Sequence, residues 1–129
     1  MIKPYEPETD YEVFCYLSSL HKWPIISESL LSPTGFVSYL GDTPGCFVFV
    51  YETVGSAWAI MEWLMVNPTF EKKDREIAIN ECIDAACSFA RSKNLTLFTS
   101  CKGDKLKQRY LAAGLIKTDE GMTNFTYRG

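Results

Sequence analysis

The sequence is poor in histidine and contains no arrangement of residues typical of a metal site. His21 is the only histidine, and the five cysteines include no Cys-x-x-Cys pair. Protein-bound metals need several such ligands at short spacing, so the sequence predicts no metal site. An odd number of cysteines in a short chain is typical of free thiols in a reducing compartment, and we expect a cytoplasmic protein.

Long apolar runs and an excess of charge of one sign are also missing. The first residues, MIKPYEPETDYEVF, lack the charged start and apolar run of a secretory signal, and no stretch is long enough to span a membrane. The net charge is −3 and the sequence pI is about 5.1, which is not the basic footprint of a nucleic-acid-binding protein. The composition therefore predicts neither a membrane nor a nucleic-acid partner.

Apolar and aromatic residues, in contrast, are plentiful. They make up 47% and 14% of the 129 residues, which is enough to form a hydrophobic core and argues against disorder. The chain has no linker, internal repeat or low-complexity tract. We therefore expect residues 1–129 to form a single domain.

Hydrophobic patterns predict the element order β-α-α-β-β-β-α-β-α-β-β, an α+β protein. A capping box at Thr9 and Glu12 predicts the start of the first helix, and Ser27 or Ser29 would cap a second, short one. Three runs, GFVSYLGD, CFVFVYET and AWAIMEWLMV, indicate an antiparallel meander whose long last strand is central. LTLFTSC predicts a further strand, and LIKT and MTNFTY predict a last strand pair.

A helix over residues 74–91 connects the strand that ends near Val66 with the strand that begins near Leu95. A strand-helix-strand crossover makes the two strands parallel neighbours in an otherwise antiparallel sheet. Where such a pair separates, a cleft opens at the carboxyl ends of the strands. Cys101 follows the second strand, where it either lines this cleft or packs as a small hydrophobe.

The turn between strand and helix lacks glycine, although strand-turn-helix units that bind phosphate are usually glycine-rich. It reads EKKDRE and carries three positive and three negative side chains. Asp74 is a good N-cap, and Glu76 would lie in the first turn, so both would compete with a phosphate for the helix amides. Two interpretations remain open: a capped helix with a solvated charged turn, or a site whose basic side chains hold phosphate.

Two segments resemble the GNAT superfamily of acyl-CoA N-acyltransferases. LMVNPTF is similar to the end of the family's fourth strand, and GDKLKQRYLAAGL is similar to its late helix. Gly103 stands where the family has asparagine, and Leu115 stands where it has phenylalanine. The resemblance covers nearly the whole chain and implies a mixed, mostly antiparallel sheet of six to seven strands flanked by helices.

The resemblance also identifies the charged turn with the loop that binds the pyrophosphate of CoA in the family. In the best register, which starts at Glu71, Asp74 and Glu76 replace the family's small residues. The resemblance then implies two sets of cofactor-binding residues. The side chains of Lys72, Lys73 and Arg75 would bind the phosphates. The backbone of Leu64, Met65 and Val66 would hold the acyl group and the pantetheine.

Glu62 and Tyr110 are the candidate catalytic residues. Alternation places Glu62 on one strand face with Leu64 and Val66, and burial on a central strand would raise its pKa toward that of a general base. The resemblance implies that Glu62, or a water that it orients, deprotonates the amine and that Tyr110 protonates the CoA thiolate. The alternatives are that Glu62 occupies a strand position exposed to solvent or forms an ion pair, and that Tyr110 only packs the last helix against the sheet.

The acceptor side is less defined. His21, Trp23 and Tyr39 fall in parts of the chain that shape the acceptor pocket in the family, but a histidine after a helix is more often a C-terminal cap than a base.

Two functions remain open. One is an acetyl-CoA-dependent N-acetyltransferase acting on a small-molecule or protein primary amine, for which the resemblance implies a homodimer. The other is a GNAT-fold binding or structural protein, of phage type, that has lost CoA.

Overall fold

The computed structural model describes residues 1–118. Five strands form one sheet in the order β1-β2-β3-β4-β5. In chain order the elements are β1 (Ile2–Pro4), α1 (Pro7–Leu20), a 3₁₀ turn (Glu28–Leu30), β2 (Gly35–Leu40), β3 (Thr43–Glu52), β4 (Trp58–Val66), α2 (Lys72–Ser92), β5 (Thr96–Phe98) and α3 (Asp104–Ala112).

The α+β class and the mixed sheet are confirmed, whereas the predicted count of six to seven strands is too high for the described residues. The pairs β1–β2, β2–β3 and β3–β4 are antiparallel, and the pair β4–β5 is parallel, as the helical crossover predicts. Residues 115–118, predicted to begin a last strand pair, form no strand. The predicted strand MTNFTY lies outside the described residues.

Helices cover both faces of the sheet. On one face α2 packs on β3 and β4 through a cluster that includes Val48, Met61 and Cys82, and Tyr110 of α3 joins it. On the other face α1 packs Phe14 against Phe47 and Phe49, with ring centroids 5.4 Å apart in each pair. Such edge-to-face aromatic pairs add to the free energy of burial. β4 is therefore covered on both faces, as its apolar sequence predicts.

The start of α1 differs from the predicted capping box. The helix begins at Pro7, and Glu6 is the N-cap. Proline suits this first position because it lacks the amide hydrogen that would have no partner there. The carboxylate of Asp10 accepts a hydrogen bond from the Glu6 amide at 2.7 Å. The predicted capping box has the Glu12 carboxylate accept in this way from the Thr9 amide. The 3₁₀ turn has the predicted cap, since Ser27 Oγ accepts from the Ser29 amide.

The turn after β4 is shaped by Asn67. Its side chain is buried, donates to the Pro44 carbonyl at 2.9 Å and accepts from the Thr69 amide at 3.0 Å. Such Asx turns stabilise a tight change of direction. Gly45 on β3 leaves room for this turn, because a Cβ there would lie 2.6 Å from the ring of Phe70. Together these contacts fix where α2 begins.

Candidate active site

The two parallel strands separate soon after they pair. β4 and β5 are in register from Trp58 with Thr96 to Ile60 with Phe98, and no further pair follows in the described residues. Just beyond, Thr99 donates its hydroxyl to the Met61 carbonyl at 3.0 Å. The rest of the β4 edge, from Glu62 to Val66, therefore has no strand partner on the β5 side. We call this unpaired stretch the β4–β5 gap, and it lies where the sequence predicts a cleft.

Tyr110 lies at this point of separation. α3 directs its side chain into the core, and its hydroxyl oxygen lies 3.5 Å from Thr99 Oγ1. The residue is 7% exposed, and burial is the main reason that its pKa is raised, with Glu62 a smaller contributor. Tyr110 thus keeps its proton at neutral pH, as a proton donor must.

A bulge in β4 determines the direction of Glu62. Phe47 pairs with Met65 but Phe49 pairs with Glu62, so β4 has one extra residue, and Trp63 has a left-handed φ of 57°. A non-glycine residue in this conformation is strained, and such strain concentrates at functional sites. The bulge interrupts the strict alternation that the sequence analysis assumed.

The expectation that Glu62, Leu64 and Val66 share one face is therefore wrong. Glu62 lies beside Phe49 on the α1 face, whereas Leu64 and Val66 pack against the cluster on the α2 face. The Glu62 side chain reaches solvent and makes no hydrogen bond or ion pair with another described residue. Desolvation nevertheless raises its pKa.

The backbone of residues 64–66 lies along the open edge of β4. The Asn67 amide bonds to Gly45 on β3, whereas the Val66 carbonyl points the other way and accepts from His21 Nε2 at 2.6 Å. Backbone groups of consecutive residues point to opposite edges of a strand, so Leu64 shares this edge with Val66 while Met65 pairs with β3. Of the three residues, only Met65 is fully buried.

The predicted cap at the start of α2 is wrong. The helix begins at Lys72, two residues earlier than expected, and its N-cap Glu71 makes no side-chain hydrogen bond to the helix. Asp74 instead lies in the first turn. The amides of Lys72, Lys73 and Asp74 have no acceptor in residues 1–118. The helix terminus is therefore open to an anion, although a carboxylate lies close to it.

The charged side chains of this turn have different surroundings. Lys72 and Lys73 are exposed and form no ion pair with a described residue. Arg75 donates to the Phe70 carbonyl at 2.8 Å and so holds the turn. Glu76 lies 3.7 Å from Arg109 of α3, away from the helix terminus where it was expected to compete with phosphate. Of the three basic side chains, the two lysines extend into solvent whereas Arg75 is held at the turn.

The segment after α1 reaches the same edge of β4. The ring of His21 lies 5.7 Å from that of Trp23, which lies 6.3 Å from Trp63 on the bulge. Tyr39, in contrast, bonds to Asp10 at 3.1 Å, and its pKa is raised to about 12, mainly by burial. Cys101 is exposed. Sequence reasoning missed Thr99 altogether, since a threonine after a strand carries no distinctive signal.

Two surface cavities of the described residues lie elsewhere. One, of about 360 Å³, lies between β1 and α2 and is lined by Pro4, Phe36 and Phe89 among others. The second lies between the end of α2 and residues 113–115. Neither includes Glu62, the Tyr110 hydroxyl or the β4 edge. The arrangement of acid and base groups, rather than cavity size, makes the β4–β5 gap the candidate site.

Three further properties concern residues 1–118. They contain no group of three or more histidine, cysteine or acidic residues placed to hold a metal ion. No helix among them has both the length and the apolar character needed to cross a bilayer. All five cysteines are free.

No protein-family model and no curated protein matches the sequence. Solved structures do match it, at low identity and over nearly the full length. An acetyltransferase of Trypanosoma brucei superimposes with a TM-score of 0.67 and 13% identity, covering 98% of this chain and 99% of that one. The aminoglycoside 6′-N-acetyltransferase AAC(6′)-IG of Acinetobacter haemolyticus has a TM-score of 0.64 and 15% identity, with 99% and 98% covered.

A third structure holds a ligand of direct interest. AAC(6′)-Iy, in complex with the bisubstrate analogue CoA-S-monomethyl-acetylneamine, has a TM-score of 0.68 and 14% identity, covering 99% of this chain and 98% of that chain. All three are structures of acetyltransferases. At this identity the likeness establishes the fold: the chain has the GNAT fold.

Proposed function

We propose that this GNAT-fold protein is an acetyl-CoA-dependent N-acetyltransferase acting on a primary amine. One observation carries the proposal: buried, protonated Tyr110 meets Thr99 where β4 and β5 separate, and Glu62, whose pKa is also raised, directly follows Met61, the β4 residue to which Thr99 bonds. A proton donor and a proton acceptor of this kind are the two groups that acyl transfer from a thioester to an amine requires.

In this mechanism Glu62, directly or through a water, takes a proton from the ammonium form of the acceptor. The neutral nitrogen attacks the thioester carbonyl, the carbon–sulfur bond breaks, and the nitrogen of the new amide releases its extra proton to solvent. Tyr110 gives its proton to the departing thiolate and is reprotonated from solvent. The raised pKa of Glu62 makes it a stronger base than an ordinary carboxylate, because a base is more effective as its pKa approaches the working pH.

The chain offers two features that fit acyl-CoA. The open edge of β4 at Leu64 and Val66 can pair with the amides of a pantetheine arm as an added strand would. The uncapped start of α2, with Lys72 and Lys73, can receive a pyrophosphate through backbone amides and lysine side chains. Arg75 contributes to the second feature mainly by holding the turn at Phe70.

The test is direct measurement of acetyl transfer. The purified protein is incubated with acetyl-CoA and a panel of primary amines, and CoA and acetylated product are quantified by chromatography with mass detection. Aminoglycosides belong in the panel because AAC(6′)-IG and AAC(6′)-Iy, two of the similar structures, are aminoglycoside enzymes. The expected result is product formation that depends on Glu62. The absence of transfer to every amine, with acetyl-CoA bound, would contradict the proposal.

A second candidate function is a GNAT-fold binding or structural protein without CoA. The observation in its favour is the turn before α2, where Asp74 stands near the anion site and no glycine is present. Calorimetry with acetyl-CoA and with CoA separates the two candidates. Micromolar binding supports the enzyme, and no heat at millimolar ligand supports the binding protein.

A further inference from the structure

The only histidine of the chain lies on the open edge of β4. His21 Nε2 is 2.6 Å from the Val66 carbonyl oxygen, and the ring is half-buried. A carbonyl oxygen can only accept a hydrogen bond, so Nε2 carries the hydrogen and donates it. The backbone acceptor that faces the β4–β5 gap is therefore occupied by a side chain.

Local structure holds the ring in this place. His21 ends α1, where the amides of His21 and Trp23 both donate to the Ser18 carbonyl, and Lys22 has a left-handed φ of 60°. The Trp23 ring lies between those of His21 and Trp63, so the segment after α1 rests on the β4 bulge. The contacts to β4 are side-chain contacts, which can break while the backbone of the helix end is kept.

We infer that His21 takes the place of a pantetheine amide at Val66 when CoA is absent and thereby sets the affinity for acyl-CoA. This inference rests on the proposed function. An extended amide chain that pairs with the edge at Leu64 and Val66 would donate an N–H to the Val66 carbonyl from the side of the gap, where the His21 ring already lies and makes that donation. Acyl-CoA therefore competes with the imidazole for the same space beside the Val66 carbonyl.

Removal of the competing donor should tighten binding. A net hydrogen bond of ordinary strength corresponds to a roughly 2- to 12-fold change in dissociation constant, and this is the expected gain for His21→Ala. His21→Gln keeps an N–H donor near the same position and should stay close to the parent. Ser19→Ala changes an exposed residue of the same helix end and serves as a control for effects on α1.

The experiment is calorimetry of the parent and the three variants with acetyl-CoA and with adenosine 3′,5′-bisphosphate, which lacks the pantetheine amides. Thermal unfolding of each variant checks that it is folded.

The inference predicts that His21→Ala binds acetyl-CoA more tightly than the parent and binds the bisphosphate with unchanged affinity. Equal or weaker acetyl-CoA binding overturns it while the proposed function stands. Equal tightening of both ligands also overturns it, because the gain would then arise at the phosphates. If no protein binds acetyl-CoA at millimolar concentration, the proposed function fails and the inference fails with it.

Discussion

At the scale of single residues, the hydroxyl of Tyr110 is the most specific chemical feature of the site. It meets Thr99 at 3.5 Å where the sheet opens. If it donates the proton to the thiolate, Tyr110→Phe should lower kcat by roughly 10²- to 10⁴-fold, the usual contribution of a general acid. The affinity for acetyl-CoA should change much less, since the phenyl ring fills the same space. Steady-state kinetics and calorimetry measure the two quantities.

Tyr39→Phe is the matched control, since it also removes a tyrosine hydroxyl bonded to another side chain, but one distant from the gap. It should leave kcat unchanged. Equal turnover of Tyr110→Phe and the parent on an established substrate would remove Tyr110 from the mechanism.

Replacement of Glu62 should change the stability of the protein as well as its activity. Desolvation raises its pKa in the folded state above the unfolded value, so the native protein holds this proton to higher pH. Stability therefore falls as pH rises from the unfolded pKa, about 4.3, through the folded one, and the loss persists at neutral pH. Glu62→Gln should accordingly unfold at a higher temperature than the parent at pH 7, with the difference shrinking at pH 3. A variant less stable at pH 7 would mean that an attractive partner outweighs desolvation.

At the scale of elements, the start of α2 combines an open helix terminus with a carboxylate in the first turn. Asp74→Asn removes a charge that favours the helix, at a cost of about 0.3–1 kcal/mol in the free energy of unfolding. The same change removes a repulsion between Asp74 and a bound phosphate, so CoA should bind several-fold more tightly at low salt, where screening is weak. Urea unfolding and calorimetry give the two values.

Asp84→Asn provides the comparison, because Asp84 is exposed near the middle of the same helix. It changes the net charge equally but lies far from the terminus, and CoA affinity should not respond to it. If both variants bind CoA alike, the turn before α2 is not the phosphate site.

At the scale of the whole molecule, the face of the sheet under α1 depends on a few large rings. Phe47 is fully buried and packs on Tyr5 and Phe14, with ring centroids 6.3 Å and 5.4 Å away. Phe47→Ala should lower the free energy of unfolding by about 3–5 kcal/mol, because it loses buried area and leaves a cavity. Urea denaturation measures this loss.

Ile77→Ala is the matched control, because it also truncates a large apolar side chain to alanine, but one on the surface. Its side chain is 51% exposed on α2. Surface substitutions of this kind usually change stability by less than about 0.5 kcal/mol. A small effect of Phe47→Ala, comparable to that of Ile77→Ala, would mean that the α1 face does not form the cooperative core described above.

Much of the architecture is local in origin and was predictable from the sequence. The alternation of apolar residues in β2 to β4, the apolar stripe of α2 and the crossover between β4 and β5 establish an α+β protein with one parallel pair. Helix starts were less predictable, because both α1 and α2 begin two or three residues before the favoured capping residues. Proline at Pro7 and the Asx turn at Asn67 set these starts, and each depends on contacts beyond the helix itself.

The site was predictable in residue type but not in geometry. The sequence by itself determined that a glutamate lies on the long apolar strand β4 and a tyrosine on the last described helix. Only the tertiary structure decided that the bulge at Trp63 turns Glu62 to the face opposite Leu64, that Thr99 meets Tyr110, and that His21 bonds to Val66, 45 positions away. A bulge changes register by one residue, and a contact between distant segments depends on how helices pack on the sheet. Neither leaves a periodic pattern in the chain, because each arises from the packing of whole elements rather than from neighbouring residues.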